Sequence, residues 1–242
     1  MIITEPRGDI VVITIDRHEK RNALDVEHLD KLASAVTVGL AAGVRALVIT
    51  GTGSSFCAGA DLDGVYTSEF RAALYDTLGL LTVVPVPVIA AVNGPAIGAG
   101  TQLAIACDLR VAAAEAVFSV PTARNGLAVD PWTIRRLALL AGGGTARALL
   151  LACETVDAGQ ALNRGLADRL GTVDDAVELA QQIATYAPLS LAYSKRALGS
   201  LLEPDGWDEE LSASFEKCWA SADLIEAQRA RAERRQPKFS GK

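Results

Sequence analysis

The stretch PVIAAVNGPAIGAGTQLAIACDLRVA, residues 87–112, decides the fold class. It opens on an apolar, partly β-branched run, PVIAAV, and turns through NGPAIGAG. It then enters TQLAIACD, which starts a helix, and returns to an apolar run in LRVA. An apolar run without polar alternation reads as a strand covered on both faces. Strand, glycine-rich turn, helix and strand make a βα unit, so parallel strands joined by right-handed crossovers are expected. The flanking sequence repeats the pattern. IVVITID (10–16) and RALVITG (45–51) read as strands, as does AVFSV (116–120). ALDVEHLDKLASAVTVGLAA (23–42) and FRAALYDTLGLLTVV (70–84) read as helices, the second stopped by Pro85 and Pro87. From about residue 133 onward the pattern is almost purely helical. The fold class is therefore α/β, with a βα-rich core and a helical C-terminal third.

A chain of 242 residues suits one large domain or a domain with a small appendage. The net charge of −6 argues against a nucleic-acid footprint, which needs phosphates neutralised by Lys and Arg. The basic residues concentrate in RARAERRQPKFSGK (229–242), which suits a small phosphorylated ligand, or else a solvated helix face. Cys57, Cys107, Cys153 and Cys218 form no C-x-x-C pair, and the two histidines, His18 and His28, lie far from them, so no metal site is supported. Such thiols fit buried positions in a reducing compartment. The N-terminus, MIITEPRGDIVVITID, is a strand pattern rather than a signal, and no apolar run reaches membrane-spanning length. A cytoplasmic protein is expected. His18 and His28 read as surface residues, and Lys195 as a solvated residue on an amphipathic helix.

Ligands of open α/β folds bind at the carboxyl ends of strands. Two such ends stand out, SSFCAGADL (54–62) and NGPAIGAGTQLA (93–104), both rich in Gly and Ala. Small residues let a ligand approach the backbone, and a helix start presents unpaired N–H groups. One amide from each turn can converge on a carbonyl oxygen, the geometry of an oxyanion hole. A dinucleotide fingerprint is not supported, because Leu103 occupies the place where a third small residue would follow Gly98-Ala99-Gly100.

FCAGADL, PVIAAVNGPAIGAGTQLAIACDLRVA, FSVP (118–121) and RRQPKF (234–239), in this order, resemble the enoyl-CoA hydratase/isomerase family, whose fold is the crotonase fold. The likeness covers essentially the whole chain, and RNALD (21–25) matches an early segment that lines the coenzyme A site. The resemblance implies a repeated ββα spiral core, here residues 1–185, and a helical C-terminal oligomerisation and CoA-contacting region, 186–242. It implies homotrimers, often paired into hexamers, and no cofactor beyond the coenzyme A thioester held as ligand or substrate. It puts the oxyanion hole at the backbone amides of Ala60 and Ala99. CoA contacts fall at Arg21, Ala23, Leu62, Phe215 and Arg234, where Arg234 would form a charge-assisted pair with a phosphate.

The hydratases carry two glutamates, one in a motif like GGGCE and one 20 residues later in a Pro-Glu pair. Those positions are Gln102 and Thr122 here, at the same spacing. Gln102 can hydrogen-bond a water but cannot take its proton, and a threonine hydroxyl is a poor acid or base. Each missing group removes roughly 10²–10⁴-fold in rate, so hydratase activity is expected to be absent or very low. In NGLAVDPWTIRRL (125–137), Asp130 sits where some family isomerases carry their catalytic aspartate. Asp130 followed by Pro131 also fits a helix N-cap with Pro at N1. Trp132 replaces small residues of the family and can border the acyl pocket, or anchor its helix in the core. The first reading is a fatty acyl-CoA or enoyl-CoA binding protein that presents the thioester to another enzyme of fatty-acid metabolism. The second is an isomerase using Asp130, and the third a weak hydratase.

Overall fold

The computed structural model describes residues 1–61, 66–201, 216, 219–235 and 237–238. Strands β1 (Ile2–Arg7) and β2 (Ile10–Ile15) form an antiparallel hairpin, with Ile2 opposite Ile15. Next to β2 lie, in spatial order, β3 (Ala46–Gly51), β4 (Val88–Val92), β6 (Leu109–Ala112) and β9 (Arg169–Leu170), all parallel. A second sheet holds β5 (Ala96–Ile97), β7 (Val117–Ser119) and β8 (Thr155–Asp157). The chain leaves the large sheet after β4, enters the small one at β5, returns for β6, crosses again for β7 and β8, and comes back for β9. That alternation winds the backbone around the space between the sheets.

Seven further elements cover them: α1 (Val26–Ala41), α2 (Ser68–Val83), α3 (Ala99–Ala106), α4 (Pro131–Leu150), α5 (Ala158–Asn163), α6 (Val173–Ala184) and α7 (Pro188–Ser200). Near the C-terminus α8 spans Ala222–Ala232. The central strands β2, β3 and β4 are buried on both faces, as their apolar runs require. Val11, Ile13, Ile15, Leu47 and Ile49 enter the main core, with residues of α1, α2 and α3, while Ile10, Val12, Ala46 and Val48 meet Ala176, Leu179, Ala180 and Ile183 of α6.

Three expectations are corrected. The C-terminal half is not purely helical, because β8 and β9 lie within it. Strands of three and two residues are too short for periodicity to show, and pairing with β7 and β6 makes them. His28 is buried rather than at the surface, its Nδ1 2.6 Å from Oδ1 of Asp25, the N-cap of α1. Lys195 is not solvated: its side chain is 8% exposed, and Nζ donates to the Asp108 carboxylate at 2.7 Å and to the carbonyls of Leu81 and Val86 at 2.9 and 3.0 Å. Pro85, four residues after Leu81, has no N–H for the Leu81 carbonyl, and Lys195 supplies the donor there and to the Val86 carbonyl beyond the helix end.

Candidate functional site

The two glycine- and alanine-rich turns lie side by side. Cys57 and Ala96 form a parallel bridge, with the Ile97 amide donating to the Cys57 carbonyl at 2.9 Å and the Cys57 amide to the Pro95 carbonyl at 3.1 Å. A side chain on Gly100 would meet the Cys57 carbonyl oxygen at 2.0 Å, and one on Gly59 would come 2.9 Å from the Ile97 carbonyl oxygen, so this approach demands glycine at both places. Burial pushes the Cys57 thiol up to about 12, which leaves it a packing residue at neutral pH. Thr101 ties the start of α3 to the small sheet, its hydroxyl 2.6 Å from the Ala96 carbonyl and 3.0 Å from that of Ser119.

Ala60 and Ala99 both line one cavity of about 130 Å³. Neither backbone amide donates a hydrogen bond among the described residues. The Ala99 amide is at the first position of α3, where helix geometry leaves N–H groups unpaired and the dipole favours negative charge. Gln102, one turn into α3, and Thr122, just before a short 3₁₀ turn at Ala123–Asn125, line the same cavity. The two positions expected to hold acid–base groups thus face one space, with an amide and a hydroxyl in place of carboxylates.

Behind Gln102 stands a buried polar pair. Asp130 caps α4, accepting the Thr133 amide on Oδ1 at 3.0 Å, with Pro131 at the first helical position. Its Oδ2 accepts the Thr133 hydroxyl at 2.6 Å and Gln102 Nε2 at 3.3 Å, while Nε2 also donates to Thr133 Oγ1 at 2.9 Å. Gln102 is 4% exposed and Asp130 3%. Among the described residues that line the cavity, Gln102 is present and Asp130 is not.

A family model described as Enoyl-CoA hydratase/isomerase matches residues 5–242. The chain belongs to the enoyl-CoA hydratase/isomerase family. The probable enoyl-CoA hydratase echA6 of Mycobacterium tuberculosis is 45% identical to it over 236 residues, 96% of either chain. The crotonyl-CoA hydratase of Syntrophomonas wolfei is 33% identical over 256 residues, covering 100% of this chain and 98% of that one. Among solved structures, an enoyl-CoA hydratase/isomerase from Pseudoalteromonas atlantica superposes with a TM-score of 0.86 at 30% identity, over 99% of either chain. A methylmalonyl-CoA decarboxylase superposes with a TM-score of 0.91 at 23% identity, over 100% of this chain and 98% of that one, a likeness of fold alone. The fold is the crotonase fold, as the resemblance of FCAGADL, residues 87–112, FSVP and RRQPKF together implied.

In this family member the early segment RNALD adjoins the first turn. Leu24 and Ala60 form a parallel bridge, and the Ala58 amide donates to the Arg21 carbonyl at 3.0 Å. Arg21 is exposed and Ala23 buried. Asp61, which follows Ala60, is held by Arg17 at 2.7 Å and Lys20 at 3.3 Å, two cations the sequence reading did not single out. Leu62 and Phe215 lie outside the described residues. Arg234 is exposed just past α8, with a left-handed φ of 52°. Trp132, expected to border the acyl pocket or to anchor its helix in the core, packs on the main core with the Arg136 guanidinium 5.9 Å from its ring centre.

Other cavity residues went unnoticed in the sequence. Arg71 of α2 and Trp219 both line it, with the Arg71 guanidinium 4.7 Å over the indole and 3.2 Å from Glu216. Tyr75, one turn further along α2, also lines it, and burial raises its phenol well above the usual tyrosine range. The tail therefore reaches the cavity through Trp219 and Arg231. An aromatic in a helical tail reads as packing from sequence alone, and only the fold brings it to the site.

Proposed function

We propose that this chain binds fatty acyl or enoyl thioesters of coenzyme A and does not hydrate them. The observation that carries the reading is the pairing of two main-chain amides, Ala60 and Ala99, unpartnered among the described residues, with Gln102 and Thr122 at one cavity. The amides serve as an oxyanion hole for the thioester carbonyl. Arg21, Ala23, Leu62, Phe215 and Arg234 supply the CoA contacts. Neither Gln102 nor Thr122 relays a proton, so the thioester is polarised with no base to activate water. The protein works in the cytoplasm as a homotrimer or hexamer and hands its ligand to another enzyme of fatty-acid metabolism. Among the described residues no helix is long and apolar enough to cross a membrane.

Asp130 supports the binding reading over isomerisation. Its carboxylate accepts from three donors and lies behind Gln102, which is the position of a cap rather than of a shuttling base.

The test is calorimetric titration with hexadecanoyl-CoA, run beside absorbance and chromatographic assays on trans-2- and cis-3-enoyl-CoA. Saturable binding without turnover is expected. Double-bond migration lost on Asp130→Asn would make the protein an isomerase, and hydration at ordinary enzyme rates would overturn the proposal.

A further inference from the structure

Gln102 meets the cavity with its amide already oriented. Thr133 has one hydroxyl proton, and at 2.6 Å that proton goes to Asp130 Oδ2. The oxygen of that hydroxyl has only lone pairs left for Gln102, so the group 2.9 Å away is Nε2. Nε2 also approaches Asp130 Oδ2 at 3.3 Å. Reversing the amide would set Oε1 against a carboxylate oxygen and a hydroxyl with no proton to give, and both hydrogen bonds would be lost. The orientation thus follows from the network around it. With Nε2 turned to the buried pair, Oε1 takes the other side of the planar amide. No described residue donates to it, and Gln102 is part of the cavity wall.

Beside the Ala60 and Ala99 amides and the side chains of Arg71, Tyr75 and Thr122, the cavity wall therefore carries one acceptor held in a fixed orientation, Gln102 Oε1. A saturated or enoyl chain brings no donor to meet that acceptor. We infer that the cavity selects acyl thioesters carrying a hydroxyl group near the thioester, with Gln102 accepting that hydroxyl and Asp130 and Thr133 as positioning residues. This rests on the thioester binding proposed above. One neutral hydrogen bond formed in place of a solvated hydroxyl corresponds to roughly 3- to 10-fold in affinity.

The test titrates the full-length protein with octanoyl-CoA and with 2-hydroxy- and 3-hydroxyoctanoyl-CoA, each epimer separately. At least one hydroxyl isomer should bind about 3- to 10-fold more tightly than octanoyl-CoA. Gln102→Met, Thr133→Val and Asp130→Asn should each bring that ratio close to one, whereas Thr133→Ser should keep it. The ratio is taken within each variant, so a general loss of stability or affinity cancels. If Asp130→Asn does not fold, the Gln102 and Thr133 variants carry the comparison. A ratio of one or below in the native protein, with octanoyl-CoA still bound, means a water satisfies Oε1 equally well and overturns this inference alone. A ratio that survives Gln102→Met overturns it as well. Failure of every thioester to bind overturns the proposed function and this inference together.

Discussion

Gln102 differs from a hydratase glutamate by a single group, yet its surroundings are now built for the amide. In Gln102→Glu a carboxylate oxygen would replace a donor 3.3 Å from Asp130 Oδ2. Two carboxylates that close do not both ionise, so one carboxyl pKa in the folded state would rise above its unfolded value. Stability from such a group is full at low pH and is lost as pH rises through the raised value. Gln102→Glu is therefore expected to cost about 1–3 kcal/mol at pH 8 and distinctly less at pH 5, measured as urea midpoints at the two values. It is not expected to confer hydration, because Thr122 still stands in the second position. At this scale the sequence reading went far. The Asp130–Pro131 cap was legible, since its signal is local. Thr133 as the partner of Gln102 was not, since the pair is 31 residues apart and joined only by the packing of α3 against α4. Trp132 left two readings open for the same reason: which way its ring turns depends on Arg136 and the core.

Among the elements, an ion pair ties α7 to its neighbours, and another ties α8 to the segment that follows it. Lys195 joins α7 to the end of α2 and to Asp108, whose Oδ2 also accepts the Val88 amide at 2.8 Å. Lys195→Met would leave a carboxylate and two carbonyls without that donor. A loss of about 2–4 kcal/mol is expected, somewhat under that for a fully buried pair because the Asp108 side chain is 26% exposed. Denaturant unfolding measures it. In α8, Glu226 accepts both Arg235 guanidinium nitrogens, at 2.6 and 3.1 Å, and the Lys238 amide at 2.9 Å. The Arg235 hydrogen bonds lower the Glu226 carboxyl to about 2. A depressed acid contributes above its unfolded pKa and stops contributing as pH falls through the folded one. The Lys238 amide should accordingly stay protected from exchange at pH 5 and lose protection progressively toward pH 2, while Arg235→Gln should lose it already at pH 5. Helices of this length declare themselves by periodicity, and α1 and α2 appear close to where the pattern put them. The short strands do not, because two or three residues become a strand only beside a partner.

For the molecule as a whole, α7 turns Leu191 and Lys195 inward and leaves Leu189 at 84% and Tyr193 at 74% exposure on another face. Positions i and i+4 make a continuous apolar stripe. If that stripe belongs to the expected trimer, Leu189→Asp with Tyr193→Asp should shift the sedimentation coefficient toward the monomer and lower the unfolding m-value per chain, because no interface is left to expose. The alternation of the backbone between two sheets could not be read from pattern, since membership of a sheet is a property of strands far apart in the chain. Resemblance supplied what periodicity could not.

The zipped pair of turns has a consequence for how such a protein changes over time. Its grip on a carbonyl is made of main-chain atoms, and no substitution at Ala60 or Ala99 short of proline deletes an N–H. The groups that move protons are side chains, and one codon change removes each of them. Drift in this scaffold therefore silences chemistry long before it loosens the hold on a ligand. A lineage can pass from catalyst to carrier by small steps, each of which leaves a folded and occupied molecule.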